Sequence, residues 1–318
     1  MKLTSISCIM NDADIIETFV RVNASFIDNF IFIDDSDDGT AEILSRLERE
    51  GFRIIRLQRN KSEPYRQDLM VTSALKFAID ENIEGDYFIL LDSDEFPKFS
   101  CASDAHRTLA AIPTNHFGAF QWETYIPDTL DFDIKTHDGL QTSFSKRLPE
   151  GRNFEKVVIP RHLATEVYIS VGSHSARRLD KRPLQKHILT EKLAHFPVRS
   201  ANQIIKKNLS AVYWLMRKES RLKGEGYHVY EALKQLSENS FKMSLETLQK
   251  IAFEYANEPS TNTQRGEKPG WIQPYELRYT AHSQPDLLKE ICSLLVASWI
   301  KPFKPDQISD LARVISRI

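Results

Sequence analysis

Cysteine is scarce in this 318-residue chain. Cys8, Cys101 and Cys292 are three, odd in number and far apart, which excludes a disulfide framework or a cysteine zinc site and makes a reducing compartment the default. Long apolar runs are also missing: the longest late one, Ile291 to Ile300, contains two serines and is well short of the roughly 20 residues that cross a bilayer. No excess of one charge exists either, with 42 Lys+Arg against 44 Asp+Glu and a net charge of -2, so nucleic acid is not expected as the main partner. The first residues, Met1 to Met10, meet Asn11-Asp12-Ala13-Asp14 before a signal or span can form, and are read as a first strand of a cytoplasmic protein. What is present is ordinary globular material, 41% hydrophobic and 27% charged, enough for a large core.

The first hundred residues alternate strand and helix patterns. Leu3 to Met10 reads as a strand, followed by Asp12 or Asp14 as a helix cap and by Ile15, Ile16, Phe19 and Val20 at helical spacing. Phe30 to Ile33 is the next strand, Ala41 to Glu50 a helix ended by Gly51, Phe52 to Leu57 a third strand, and Arg66 to Asn82 a helix presenting Leu69, Ala74, Phe77 and Ala78. Strands joined by such helices predict a parallel sheet. From Phe117 aromatic and β-branched pieces (Phe120 to Ile126, Lys156 to Ile159, Val167 to Val171) predict strands that extend it into a mixed sheet. Beyond Ser200 the pattern is helical, in Ala201 to Lys223, Tyr230 to Leu236, Ser244 to Ala256 and Gln284 to Trp299, around a polar loop from Asn257 to Lys268. The expected organisation is an α/β domain over 1–200, divided at about residue 100, and a helical subdomain over 201–318.

Two strands end in acid. Phe88-Ile89-Leu90-Leu91 runs into Asp92-Ser93-Asp94-Glu95, and carboxylates at the carboxyl end of a parallel strand face the crevice where such sheets bind ligands. Asp92 and Asp94 can share Mg²⁺ or Mn²⁺, with other coordination sites left for water or phosphate oxygens; a solvated acidic turn is the plainer alternative. The second acidic end, Asp34-Asp35-Ser36-Asp37-Asp38-Gly39-Thr40, would place an EF-hand's twelfth ligand at Ser45, where a Glu is needed, so calcium of that type is disfavoured. Asp38 or Thr40 capping the next helix explains part of this loop.

Taken in order, Ile9-Met10-Asn11-Asp12-Ala13-Asp14, Ile33-Asp34 through Thr40, and Leu91-Asp92-Ser93-Asp94-Glu95-Phe96 resemble the GT-A nucleotide-sugar-binding half of family 2-like glycosyltransferases, in the branch whose metal motif continues Glu-Phe. Leu193 to Ser200, with Gln203 and Lys207, is a weaker echo of a late catalytic segment. The resemblance implies metal-dependent, inverting transfer from a nucleotide diphosphate sugar to a saccharide or lipid-linked saccharide. Mn²⁺ or Mg²⁺ would sit on Asp92 and Asp94, with His174 or His195 as a further ligand and His174 preferred. Donor contacts would come from Asp34, Asp35, Asp38, Arg66, Asp92, Ser93, Lys156 and Arg199; Lys206 and Lys207 are further cations. An acceptor hydroxyl needs a base, for which Glu123, Asp128 and then Asp131 are the candidates, beside Trp122 and Tyr125 as apolar faces for a ring.

Two other readings compete. An Asp-based phosphatase would use Asp92 and Asp94 as nucleophile and acid, but that strand normally opens its domain, and here three strand-helix units precede it. A non-catalytic nucleotide-sugar-binding protein on the same scaffold is the other. The segment 202–223 carries Lys206, Lys207, Arg217, Lys218, Arg221 and Lys223 around an apolar face, which suits either packing on the core or peripheral contact with an anionic membrane.

Overall fold

Two-faced burial explains the central strands. In β2 (Asn29–Asp34) Phe30 and Phe32 point to one side and Ile31 and Ile33 to the other, as the period of two requires. The first pair joins Phe19 of α1 (Ile16–Asn23) and Leu44 of α2 (Thr40–Arg49). The second joins Val71, Ala74, Leu75 and Ala78 of α3 (Gln67–Asp80). Helices therefore cover both faces, as a buried parallel sheet demands. Phe19 sits 6.1 and 6.0 Å from the rings of Phe30 and Phe32, and burying it stabilises the fold by about 1.5–3 kcal/mol. The computed structural model describes residues 1–36, 38–59, 66–130, 139–150, 154–208, 243–255, 264–272 and 275–279.

The remaining elements follow in chain order. β1 (Leu3–Ile9), β3 (Ile54–Gln58) and β4 (Tyr87–Leu90) complete the first half. β5 (Glu95–Pro97), α4 (Ala102–Ala110), β6 (His116–Pro127), α5 (Gly139–Ser143), β7 (Phe144–Leu148) and β8 (Glu155–Pro160) come next. β9 (Val167–Ile169), β10 (Ala176–Arg178), β11 (Gln185–His195), α6 (Leu245–Glu254) and β12 (Gln264–Arg265) finish the described chain. The sheet runs β12-β7-β6-β8-β4-β1-β2-β3. It is parallel across β3, β2, β1 and β4, antiparallel at β8 and on to β6, and this is the mixed sheet flanked by helices that was expected. β9 and β10 form a separate hairpin.

Several local expectations are corrected. Leu69 is 45% exposed, because the buried stripe of α3 runs through residues 71, 74, 75 and 78 instead. Neither Asp12 nor Asp14 caps α1, whose N-cap Ile15 receives no side-chain bond. β11 was not foreseen: its first half is polar, and only from Leu189 onward do its apolar side chains lie in the core. It pairs in parallel with β6 and antiparallel with β5. β12 lies within the predicted polar loop and adds an edge to β7. Gly51 does end α2 as read: at φ +104° its N–H reaches Glu48 O and that of Phe52 reaches Leu47 O, a Schellman closure whose left-handed residue favours glycine.

Candidate functional site

β1 has β2 on one side and β4 on the other, so the strand order reverses there and a crevice opens beyond the carboxyl ends. Ile9 is level with Asp34, and Leu91 N–H still bonds Ile6 O before the chain turns through Asp92 to Asp94. Three acidic loops thus meet at one rim: Asp12 and Asp14 after β1, Asp34 after β2, and Asp92 and Asp94 after β4.

Two buried cations hold the rim together. Lys156, from β8, is fully buried and donates to Asp92 Oδ2 at 2.5 Å, with Glu95 Oε2 at 3.4 Å. Burial alone would drive the Lys156 pKa down, but Asp92 and Glu95 reverse this and raise it. Glu95 is itself fully buried; it accepts Asp92 N–H at 2.9 Å, and burial lifts its carboxyl well above the usual range against the pull of Lys156. Glu95 therefore supports the Asp92 turn from beneath. Arg199, 2% exposed, grips Asp14 with two bonds of 2.7 and 3.0 Å and reaches Asp94 Oδ2 at 3.3 Å. Asp12 lies 4.0 Å from the same guanidinium. Burial raises Asp12 to about 7; Arg199 opposes this, while Asp14 and Asp94 add to it.

An aromatic wall adjoins the carboxylates. His195, at the end of β11, has Nε2 3.7 Å from Asp94 Oδ1, and its Nδ1 has no hydrogen-bond partner. Burial, followed by the charge of Lys207, depresses its pKa well below the ordinary value, so the imidazole is neutral. Its ring lies 4.1 Å from Trp122 and 5.4 Å from Tyr255. His174, between β9 and β10, packs against Trp122 and Phe154, and its Nδ1 is engaged with Glu155 O at 2.8 Å. Of the two histidines, His195 is the one beside Asp94. Among the described residues no three His, Cys, Asp or Glu side chains are grouped to hold a metal ion.

The other candidates are distributed as follows. Ser93 is buried between Asp92 and Asp94. Asp35 is ion-paired to Arg59, and Asp38 accepts Thr40 N–H at 2.9 Å and Ala13 N–H at 3.4 Å, bracing the loop to its neighbour. Asp34 accepts Ser36 N–H at 2.9 Å and, like Asp38, is half-buried. Arg66 is bound to Asp68 and borders a groove of about 650 Å³ with Leu57, Arg59, Leu69 and Phe77. Glu123 lies on the face of β6 opposite Trp122, between Lys98 and Lys146 at 2.7 and 2.6 Å; burial is outweighed by these ammonium groups and its pKa is lowered. Asp128 is held by Ser145, Arg265 and Lys268. The structure does not bring these two acids to the Asp92 turn. Asp131, and the membrane segment beyond residue 208, lie outside the described residues.

Sequence reasoning missed four contributors: Asp12, Asp14, Arg147 and Tyr255. The first two carried a usable signal, an acidic cluster directly after an apolar strand, the same pattern as Asp92. The other two depend on long-range contacts, Arg147 with Tyr255 across 108 residues and Tyr255 with the His195 ring. No family model matches the chain, and no curated protein does. Among solved structures the chain is similar to S. aureus TarS 1-349, at 13% identity and TM-score 0.34 over 77% of this chain and 76% of that one. It is also similar to glucosyl-3-phosphoglycerate synthase from Mycobacterium tuberculosis in complex with Mn²⁺, uridine diphosphate and glucosyl-3-phosphoglycerate, at 13% identity and TM-score 0.31 over 76% and 81%. At these values neither likeness assigns an activity to this chain.

Proposed function

We propose that this protein transfers a sugar from a nucleotide diphosphate sugar to a hydroxyl acceptor, a saccharide or lipid-linked saccharide. The observation that carries the reading is the Asp92-Ser93-Asp94 turn at the reversal of strand order, held by Lys156 and Arg199 and flanked by neutral His195. A divalent cation fits this place as a substrate-completed site. Asp94 and His195 offer an oxygen and a neutral nitrogen 3.7 Å apart, with Asp92 adjoining, and Mg²⁺ or Mn²⁺ commonly takes one or two protein donors and completes its shell with phosphate and water. When bound, the ion would offset charge on the diphosphate.

The protein's own residues supply position. Asp34 and the neighbouring groove, with Arg66 at its edge, are proposed to receive the base and ribose. As the bond from the anomeric carbon to the diphosphate oxygen breaks, its electron pair stays on the diphosphate. The acceptor oxygen forms the new bond and its proton goes to a base. Glu123 and Asp128 were the sequence's candidates for that base, yet each is held by cations, which makes a carboxylate a weak one. The phosphatase reading gains nothing here, since β4 is fourth in chain order.

Thermal unfolding with a panel of nucleoside diphosphates, with and without Mn²⁺, tests the proposal. Saturation at about 100 times Kd should add about 2.7 kcal/mol of stability, only with the metal, and Asp94→Asn should lose the response. A wild type that responds to no nucleoside diphosphate would refute it.

A further inference from the structure

A second concave surface lies at the opposite end of the sheet from the crevice. It is an open groove of about 790 Å³, within the size range of small-molecule sites. Tyr87 opens β4 and is level with Pro160, the last residue of β8, so the groove sits at the amino end of the strand whose carboxyl end leads to Asp92. The five positions from Tyr87 to Asp92 span about 16 Å of extended chain. Ile79, from the last turn of α3, and Ile112, from the link between α4 and β6, complete an apolar bed. Ile112 can lie deep because Gly118 has no side chain: a Cβ there would stand 2.7 Å from Ile112 Cδ1.

One charge in the lining is unmatched. Arg161, in the short 3-10 turn that follows β8, is half-buried. Its Nη1 donates to Ile83 O at 2.7 Å and Gly85 O at 3.3 Å, and its Nη2 to Asn82 Oδ1 at 3.4 Å. All three acceptors are neutral. They follow the carboxyl end of α3, where partial negative charge favours a cation, so the guanidinium is held in place while it makes no ion pair among the described residues. Asp86, the acid of the same lining, is turned toward β1: its Oδ2 accepts Lys2 N–H at 2.7 Å, and its carbonyl accepts Arg161 N–H at 2.9 Å. The facing wall is set by buried Arg178, whose Nη2 donates to Asn115 Oδ1 at 3.1 Å, next to Thr114. A fixed cation beside an apolar bed suits a ligand that is apolar in body and anionic at one end.

We propose that this groove is a second binding site, for a small apolar molecule bearing one carboxylate. The carboxylate pairs with the Arg161 guanidinium, whose Nη2 makes the longest of its three bonds, and the apolar body covers Tyr87, Ile79 and Ile112. Thr114 and Thr165 stand exposed at the rim. None of these residues belongs to the Asp92 turn, so the site is independent of the donor reading.

Titration calorimetry on the full chain with 4-phenylbutyrate and octanoate, each beside its neutral amide, tests it. Wild type should bind the acids about tenfold more tightly than the amides, the advantage of a charged over a neutral hydrogen bond. Arg161→Gln should abolish that preference, and Arg161→Lys should keep part of it. Thr165→Trp, at an exposed position, should fill the groove, weaken both acids by about tenfold and leave Tm unchanged, so the test does not hang on an Arg161 variant that may fail to fold. Equal affinity of wild type for acid and amide, no binding of either acid at millimolar concentration, or Thr165→Trp binding as tightly as wild type would each overturn the proposal. So would a dimer in sedimentation velocity that Thr165→Trp dissolves, because a second copy of the chain would then be the occupant.

Discussion

At the scale of single residues the crevice is held by charges that oppose one another. Asp12 bears the cost most plainly: burial first, then Asp14 and Asp94, lift its carboxyl from 3.8 to about 7 against the pull of Arg199. A folded-state value above the unfolded one means that the stabilising, protonated form is fully available below 3.8 and is lost as pH rises through about 7. Asp12→Asn cannot titrate. Its Tm relative to wild type should therefore be more favourable at pH 8 than at pH 4, and an equal difference at both would contradict the assignment. The sequence foretold Asp92 and Asp94 and the two cations that hold them, but did not name Asp12 and Asp14 as members of this rim. Asp92 and Asp94 were visible because an apolar strand stops abruptly in carboxylates, and Lys156 and Arg199 were named as cations and do reach that turn. The absence of Glu123 from it was not visible, because which face of β6 meets the rim depends on a register that only the sheet reveals, and Asp128 lies past the Pro127 end of that strand.

Elements show a second kind of dependence. Glu17, in the first turn of α1 and fully buried, accepts the N–H groups of Arg278 and Tyr279 at 2.9 and 2.7 Å and the Arg21 Nε at 2.8 Å. Arg21 in turn makes a two-pronged bond to Glu50, and Tyr279 lies beneath Arg21 and Arg46. Residues 275–279 are thereby strapped across α1 and α2. Glu17→Ala leaves two N–H groups and a guanidinium short of a partner, which should cost about 3–5 kcal/mol as in other broken buried pairs. A Tm unchanged from wild type, or no faster proteolysis at 275–279, would refute the strap. Strands β1 to β4 were legible because each is an apolar run bounded by helix or turn signals. β11 was not, since its polar start is acceptable only beside β6, and the irregularity between Ile188 and Lys192 breaks the alternation that would have marked it.

The whole molecule is knitted late. Arg199 joins Asp14 across 185 positions and Asp94 across 105, while β11 closes on β6 and β5 from far along the chain. A chain ending at residue 180 would keep β1 to β4 but lose β11 and Arg199. It should show no cooperative thermal transition, and a sharp one would mean that the first half folds unaided. The reach of Arg199 also bears on biosynthesis. Domains emerge from the ribosome amino end first, at about 5–20 residues per second, so Asp94 is made roughly five to twenty seconds, and Asp14 roughly nine to thirty-seven seconds, before the arginine that binds them. During that interval the nascent rim is a set of carboxylates without its countercharge, and free magnesium or a chaperone's basic surface is what it can meet first.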